Sequence, residues 1–158
     1  GICKGYIIDQ AANTLQQMGV RYALINAGGD IRAMAGKGPD EAWEGGIQDP
    51  RGKKPFIQTL SLTTGALATS GNYENYFDSQ KAHHHIIDGG SGHSPQGVAS
   101  VSVLAPTVAE ADALSTALFV KPRPQAVTLA QSLPHTEALL LSPDLRDTRT
   151  PGWPGRWA

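Results

Sequence analysis

Apolar residues recur every three or four positions along residues 4–18, where Ile7, Ile8, Ala11, Ala12, Leu15 and Met18 fall on one stripe. That period predicts an amphipathic helix, and Gly19 is a suitable C-terminal stop. A second helical stretch, small and apolar, spans residues 108–119. Thr107 precedes it and Glu110 follows three residues later, the spacing of a capping box, and Pro122 and Pro124 end it. Residues 125–132 predict a weaker third helix. Strand-like runs occupy residues 20–26, 31–35, 43–48, 56–63, 66–70, 98–105 and 137–141. In 56–63 the alternation puts Phe56, Leu60 and Leu62 on one face, with Ile57 and Gln58 interrupting it, while 98–105 is the cleanest, with Val101 and Val103 together. Asp49-Pro50-Arg51-Gly52 is a turn signature. Residues 83–87 predict a strand that runs into a glycine-rich bend, and 143–158, rich in Pro, Gly and Arg and carrying Trp153 and Trp157, an extended tail. With no internal repeat and no sign of a second domain, the pattern predicts one α+β unit over 1–142, a mixed, mostly antiparallel sheet packed by two to three helices.

Composition narrows the partners. The 158 residues are 40% apolar and 17% charged, with a net charge of −1. There is no basic run, so nothing favours nucleic acid or an acidic membrane surface. No stretch is long and apolar enough to span a bilayer, and no signal peptide is visible. Cys3 is the lone cysteine, which excludes an internal disulfide and a cysteine-based zinc motif; it is expected as a small buried apolar residue. Gly1-Ile2-Cys3-Lys4-Gly5 reads like the middle of something longer.

Candidate chemistry gathers in three places. Four of the five histidines lie in His83-His84-His85-Ile86-Ile87-Asp88-Gly89-Gly90-Ser91-Gly92-His93. On a strand His83 and His85 share a face, so they could ligate zinc with a third residue; alternatively one histidine acts on a phosphate-bearing ligand lying against the glycine turn, or all are solvated. Gly28-Gly29 sits between two strand-like runs, either a bulge or close approach to a ligand, or a simple tight turn. Asp112 and Thr116, four apart on the second helix, put two oxygens on one face, a half-site suited to magnesium rather than zinc. Helix-dipole and back-bonding roles explain the same pair without a metal.

Taken in order, Gly-Ile-Cys-Lys-Gly-Tyr-Ile-Ile-Asp (1–9), Asn-Ala-Gly-Gly-Asp-Ile-Arg (26–32), Ala-Thr-Ser-Gly-Asn-Tyr (68–73), His-Ile-Ile-Asp (85–88) and Ala-Asp-Ala-Leu-Ser-Thr-Ala (111–117) resemble the ApbE family of FAD:protein FMN transferases. The resemblance runs from Gly1 to about Leu141 and corresponds to the C-terminal half of a typical member. It implies an ApbE-like fold and a reaction in which FAD is cleaved at its diphosphate with Mg2+ present, FMN passing to a threonine of a target protein and AMP leaving. Family targets are redox-complex subunits at the bacterial periplasm, so a periplasmic or inner-membrane-associated location is implied. By the same resemblance Asp112, Thr116 and the Gly1 carbonyl hold the metal, Lys4 contacts FAD, Ile86 contacts the nucleotide through its backbone, and His85 serves catalysis. Gly28, Gly29 and Asp30 form the turn beside the site. The resemblance also makes His83 and His84 structural or solvent-facing.

The chain departs from the family pattern at Gly89-Gly90-Ser91-Gly92, where Pro-Arg-Thr-Gly is usual, and at Lys121-Pro122-Arg123-Pro124, where a glycine is usual. Contacts to adenine and isoalloxazine are expected from a family half that would precede Gly1 or be supplied by a second chain. Two alternatives to the transferase accompany it: an FAD pyrophosphatase, with water as acceptor, and a non-catalytic flavin-binding relative.

Overall fold

The structure is a computed structural model that describes residues 2–73, 75–78 and 83–158. The elements run α1 (Cys3–Gln17), β1 (Ala23–Ala27), β2 (Asp30–Met34), β3 (Trp43–Gln48), β4 (Phe56–Leu62), β5 (Gly65–Gly71), β6 (Ser100–Ala105), α2 (Val108–Phe119), α3 (Arg123–Ser132), β7 (Glu137–Leu141), β8 (Asp147–Arg149) and β9 (Arg156–Trp157). Six strands form one sheet in the order β1-β2-β5-β6-β7-β8, and β3-β4-β9 form a second. The α+β class holds, and every pairing within the two sheets is antiparallel. Two helices lie between β6 and β7, so the chain returns to the end of the sheet it left and the strands oppose one another.

The large sheet is buried on both faces, and its two-residue period sorts the core. Ala66 and Ala68 of β5, Val101 and Val103 of β6, and Ala138 and Leu140 of β7 pack under the helices with Ile8, Val108, Leu118 and Phe119. The intervening Leu67, Leu139 and Leu141 face the small sheet and meet Ile47, Ile57, Leu60 and Trp153. Each fully buried side chain of this size contributes roughly 1.5–3 kcal/mol. The result is three layers: helices, large sheet, small sheet.

Several expectations change. The stripe on α1 is only partly covered: Ile8 and Ala12 are buried, whereas Ile7 is 65% and Met18 75% exposed. Cys3 is exposed rather than buried, at the first position of α1. In β4 Leu60 and Leu62 face the core as expected, but at its start Phe56 is exposed and Ile57 buried. The register slips between Ile47 and Gln48, which face Gln58 and Phe56, leaving Ile57 as the extra residue of a bulge. α3 begins at Arg123, with Pro124 inside its first turn, where a missing N–H costs nothing.

Residues 83–87 do not form a strand; His84 makes one isolated bridge to Tyr76. Residues 143–158 are extended but packed onto the body. β8 pairs with β7 and β9 with β4. Between them Trp153 is buried, and its Nε1 donates to Gln58 Oε1 at 3.0 Å. Gly155 leaves room for that pair, since a Cβ there would lie 2.4 Å from Trp153 Nε1 and 2.5 Å from Gln58 Oε1.

Candidate active site

The site begins where α1 crosses α2. A Cβ on Gly5 would lie 2.6 Å from the Val108 carbonyl oxygen, so only glycine permits the two helices to approach this closely. Asp9, one turn further along α1, accepts the N–H groups of Val108 at 3.0 Å and Ala109 at 2.9 Å. The capping box is formed as expected, with Thr107 Oγ1 accepting from the Glu110 N–H and Glu110 accepting from the Thr107 N–H. All four orphan N–H groups at the start of α2 are thereby satisfied, two of them by another helix. The crossing also fixes Asp112, which is buried and whose Oδ2 accepts the Gly5 N–H at 3.2 Å. Thr116 follows one turn later, its hydroxyl 2.9 Å from Ser70 Oγ on β5.

The β1–β2 hairpin supplies the next groups. Ala27 pairs with Asp30, so Gly28 and Gly29 are the two residues of a tight turn, with φ of 60° and 93°. Positive φ at both positions is the hairpin geometry that matches strand twist, and it resolves the glycine pair as a turn rather than a bulge. Asn26 Oδ1 accepts the Gly29 N–H at 3.0 Å. Asp30 is buried, and its Oδ2 lies 3.0 Å from Lys4 Nζ, which remains half-exposed. Burial raises the Asp30 carboxyl above its ordinary value; the adjoining Lys4 ammonium opposes the shift, and the Asp112 charge reinforces it.

The third part is the irregular segment after β5. Asp78 Oδ2 accepts the His83 N–H at 2.8 Å and lies 2.5 Å from His83 Nδ1. His84 is buried against Phe119, ring centroids 5.6 Å apart. Ser94 Oγ accepts the His84 N–H at 3.0 Å and donates to the His84 carbonyl at 2.8 Å, mimicking a strand neighbour. His85 is thus turned the other way, its N–H donating to the Asn75 carbonyl at 3.2 Å. Ile86 is buried. Asp88 then closes the glycine bend by accepting the N–H groups of Gly90 and Ser91, and these bonds hold its carboxyl below its ordinary value.

These parts enclose one cleft of about 590 Å³, within the size range of small-molecule sites. Lys4, Gly28, Asp30, His85, Ile86, Asp112 and Thr116 all line it. Gly29 is at the turn but not on the cleft wall, and Gly1 lies outside the described residues. Thr69, Ser70, Gly71, Tyr73, Asn75 and Ile87 line it too; all but Asn75 fall in the motif blocks 68–73 and 85–88, but the sequence assigns no role to any of them. The zinc geometry is not met, because His83 is paired with Asp78 instead of sharing a strand face with His85. Among the described residues no three His, Cys, Asp or Glu side chains converge as a metal nest. The oxygens of Asp112 and Thr116 face the cleft together, a donor pair suited to a hard cation such as Mg2+.

Comparison with known proteins gives the same answer from every direction. The ApbE family model matches residues 1–140. The FAD:protein FMN transferase of Treponema pallidum is 35% identical over 157 residues, covering 92% of this chain and 43% of that protein. The Escherichia coli K12 protein of the same name is 34% identical over 120 residues, 74% of this chain and 34% of its own. The crystal structure of the ApbE protein of Thermotoga maritima superposes with a TM-score of 0.86 at 35% identity, over 95% of this chain and 50% of that one. The flavin transferase ApbE of Vibrio cholerae gives 0.77 at 25% identity, over 94% and 48%. The chain therefore spans half or less of the length of these relatives.

Proposed function

Because the chain belongs to the ApbE family, we propose that it carries the reacting centre of a magnesium-dependent flavin transferase, which moves FMN from FAD to a threonine hydroxyl of a target protein and releases AMP. One observation carries this reading. Lys4, Asp30, His85, Ile86, Asp112 and Thr116 come from four separate parts of the chain and line one cleft.

Each group suits a step. Asp112 and Thr116 would hold the cation, which neutralises charge on the FAD diphosphate when bound. Lys4 lines the same cleft with its ammonium ready for the diphosphate oxygens, and Asp30 keeps that side chain aimed while no anion is present. His85 accepts the proton of the incoming hydroxyl. The hydroxyl oxygen then bonds to the FMN phosphorus, the bridging P–O bond breaks, and its electron pair leaves on AMP. A phosphate leaving group needs no strong acid. Ile86, buried beside His85, offers backbone to the nucleotide. The remaining flavin contacts fall to the part of the protein that the relatives possess and this chain does not span. Family resemblance supports an acceptor in a redox-complex subunit and a site of action at the periplasmic face.

The test is to incubate the native protein with FAD, MgCl2 and a threonine-bearing redox subunit, following covalent FMN by in-gel fluorescence and AMP by chromatography. Wild type is expected to label the subunit, and Asp112→Ala to reduce labelling at least 100-fold. AMP and free FMN without labelling would reassign the site to hydrolysis; FAD bound intact would make it a binding module.

A further inference from the structure

Behind the two proposed metal ligands lies a run of hydroxyls whose direction is set from one end. Ser115, buried, donates its proton to the Asp112 carbonyl oxygen at 3.0 Å. A carbonyl can only accept, so the Ser115 proton is committed there. Ser70 Oγ lies 2.8 Å from Ser115 Oγ and 2.9 Å from Thr116 Oγ1. With Ser115 already donating, Ser70 satisfies both contacts by donating to Ser115 and accepting from Thr116. The other inward acceptor for Thr116, the same Asp112 carbonyl, is 3.4 Å away and already serves Ser115. Ser70 is therefore the nearer and better acceptor for the Thr116 proton, and by drawing that proton into the protein it leaves the Thr116 lone pairs to face the cleft.

We propose that Ser70 is a positioning residue that makes Thr116 an acceptor toward the cleft, so that Asp112 and Thr116 form a seat for a hard divalent cation and not for a phosphate oxygen. The inference rests on the metal-seat reading above and extends it to a residue that never needs to touch the ion. It divides the cleft: the cation lies beside Asp112 and Thr116, and the anionic diphosphate lies toward Lys4. A hydroxyl free to rotate would offer a proton to the cleft part of the time, which repels a cation and attracts an anion. Ser70 lies on β5 and Thr116 on α2, so the relay also ties the seat to the large sheet.

The test titrates the native protein with Mn2+ in the presence of FAD, reading free Mn2+ by electron paramagnetic resonance and so not depending on turnover. Ser70→Ala is expected to weaken Mn2+ binding roughly tenfold, the usual size of a lost outer-shell contact, with an unchanged thermal midpoint. Ser70→Thr, which restores the hydroxyl, is expected to recover it. Asp112→Ala serves as the reference. If Asp112→Ala loses Mn2+ but Ser70→Ala binds like wild type, the positioning role is overturned while the metal seat stands. If Asp112→Ala itself binds Mn2+ normally, the seat reading fails and the relay fails with it.

Discussion

On one side of the cleft Asp112 and Thr116 stand a turn apart on α2; on the other, His85 and Ile86 stand on a segment that belongs to no sheet. The first side is held by regular backbone. α2 is capped at its start by Thr107 and by Asp9 from α1, and its oxygens are spaced by the helix itself. The second is held by side chains acting as substitute backbone: Ser94 bridges both polar groups of His84, and Asp88 gathers the N–H groups of Gly90 and Ser91. A cation seat gains from fixed spacing, whereas a segment that must admit a flavin nucleotide and a protein hydroxyl gains from ties that break one at a time.

The largest effect on this contrast is expected from Gly5→Ala. Its methyl group would press on the backbone of Val108 and Ala109, which cannot yield as a side-chain tip can. The regular wall should lose about 2–3 kcal/mol by urea unfolding, and the Asp112 contact with it. Stability like that of wild type would show that the crossing is pliant and remove the contrast. Ser94→Ala should cost less, about 1–2 kcal/mol, by leaving a buried N–H and carbonyl of His84 unmatched. Its expected signature is local: faster amide hydrogen exchange over 83–97 with α2 protected as before. Uniformly faster exchange in both regions would mean that the two walls unfold as one.

The smallest effect, and the sharpest comparison, is titration. Asp30 and Asp88 share an ordinary value of 3.8 but are displaced in opposite directions. For Asp88 the folded value is depressed, so its contribution to stability is complete above 3.8 and lost as pH falls through the lower folded value. For Asp30 the folded value is raised, so folding is favoured at low pH, and that contribution is lost as pH rises from 3.8 through the folded value. Carboxyl carbon NMR should find the Asp30 midpoint above 3.8 and that of Asp88 below it. The reverse order would contradict the burial of Asp30 beside Asp112. Between those midpoints Asp30 is still protonated while Asp88 is ionised and its turn intact.

Local chemistry by itself determined a good part of this protein. The capping box and apolar run set α2 at residues 108–119, and a short apolar strand pattern set β7 at residues 137–141. Helix spacing marked Asp112 and Thr116 as a pair and the glycine pair marked a turn, because these are properties of neighbouring residues; Lys4, Asp30, His85 and Ile86 took their roles only from the resemblance of the ordered motif blocks to the ApbE family. Tertiary structure decided what depends on partners distant in the chain. The bulge at Ile57 turned Phe56 outward, since strand faces follow the register of the neighbour and not the strand alone. Trp153 drew residues 143–158 onto Gln58. Ser94 replaced the strand that the histidines suggested, and Asp9 left the apparent polar face of α1 to cap another helix about a hundred residues away. The hydroxyl relay through Ser70 belongs to the same group: its direction follows from which oxygen can only accept, and only the packing of β5 against α2 brings those oxygens together.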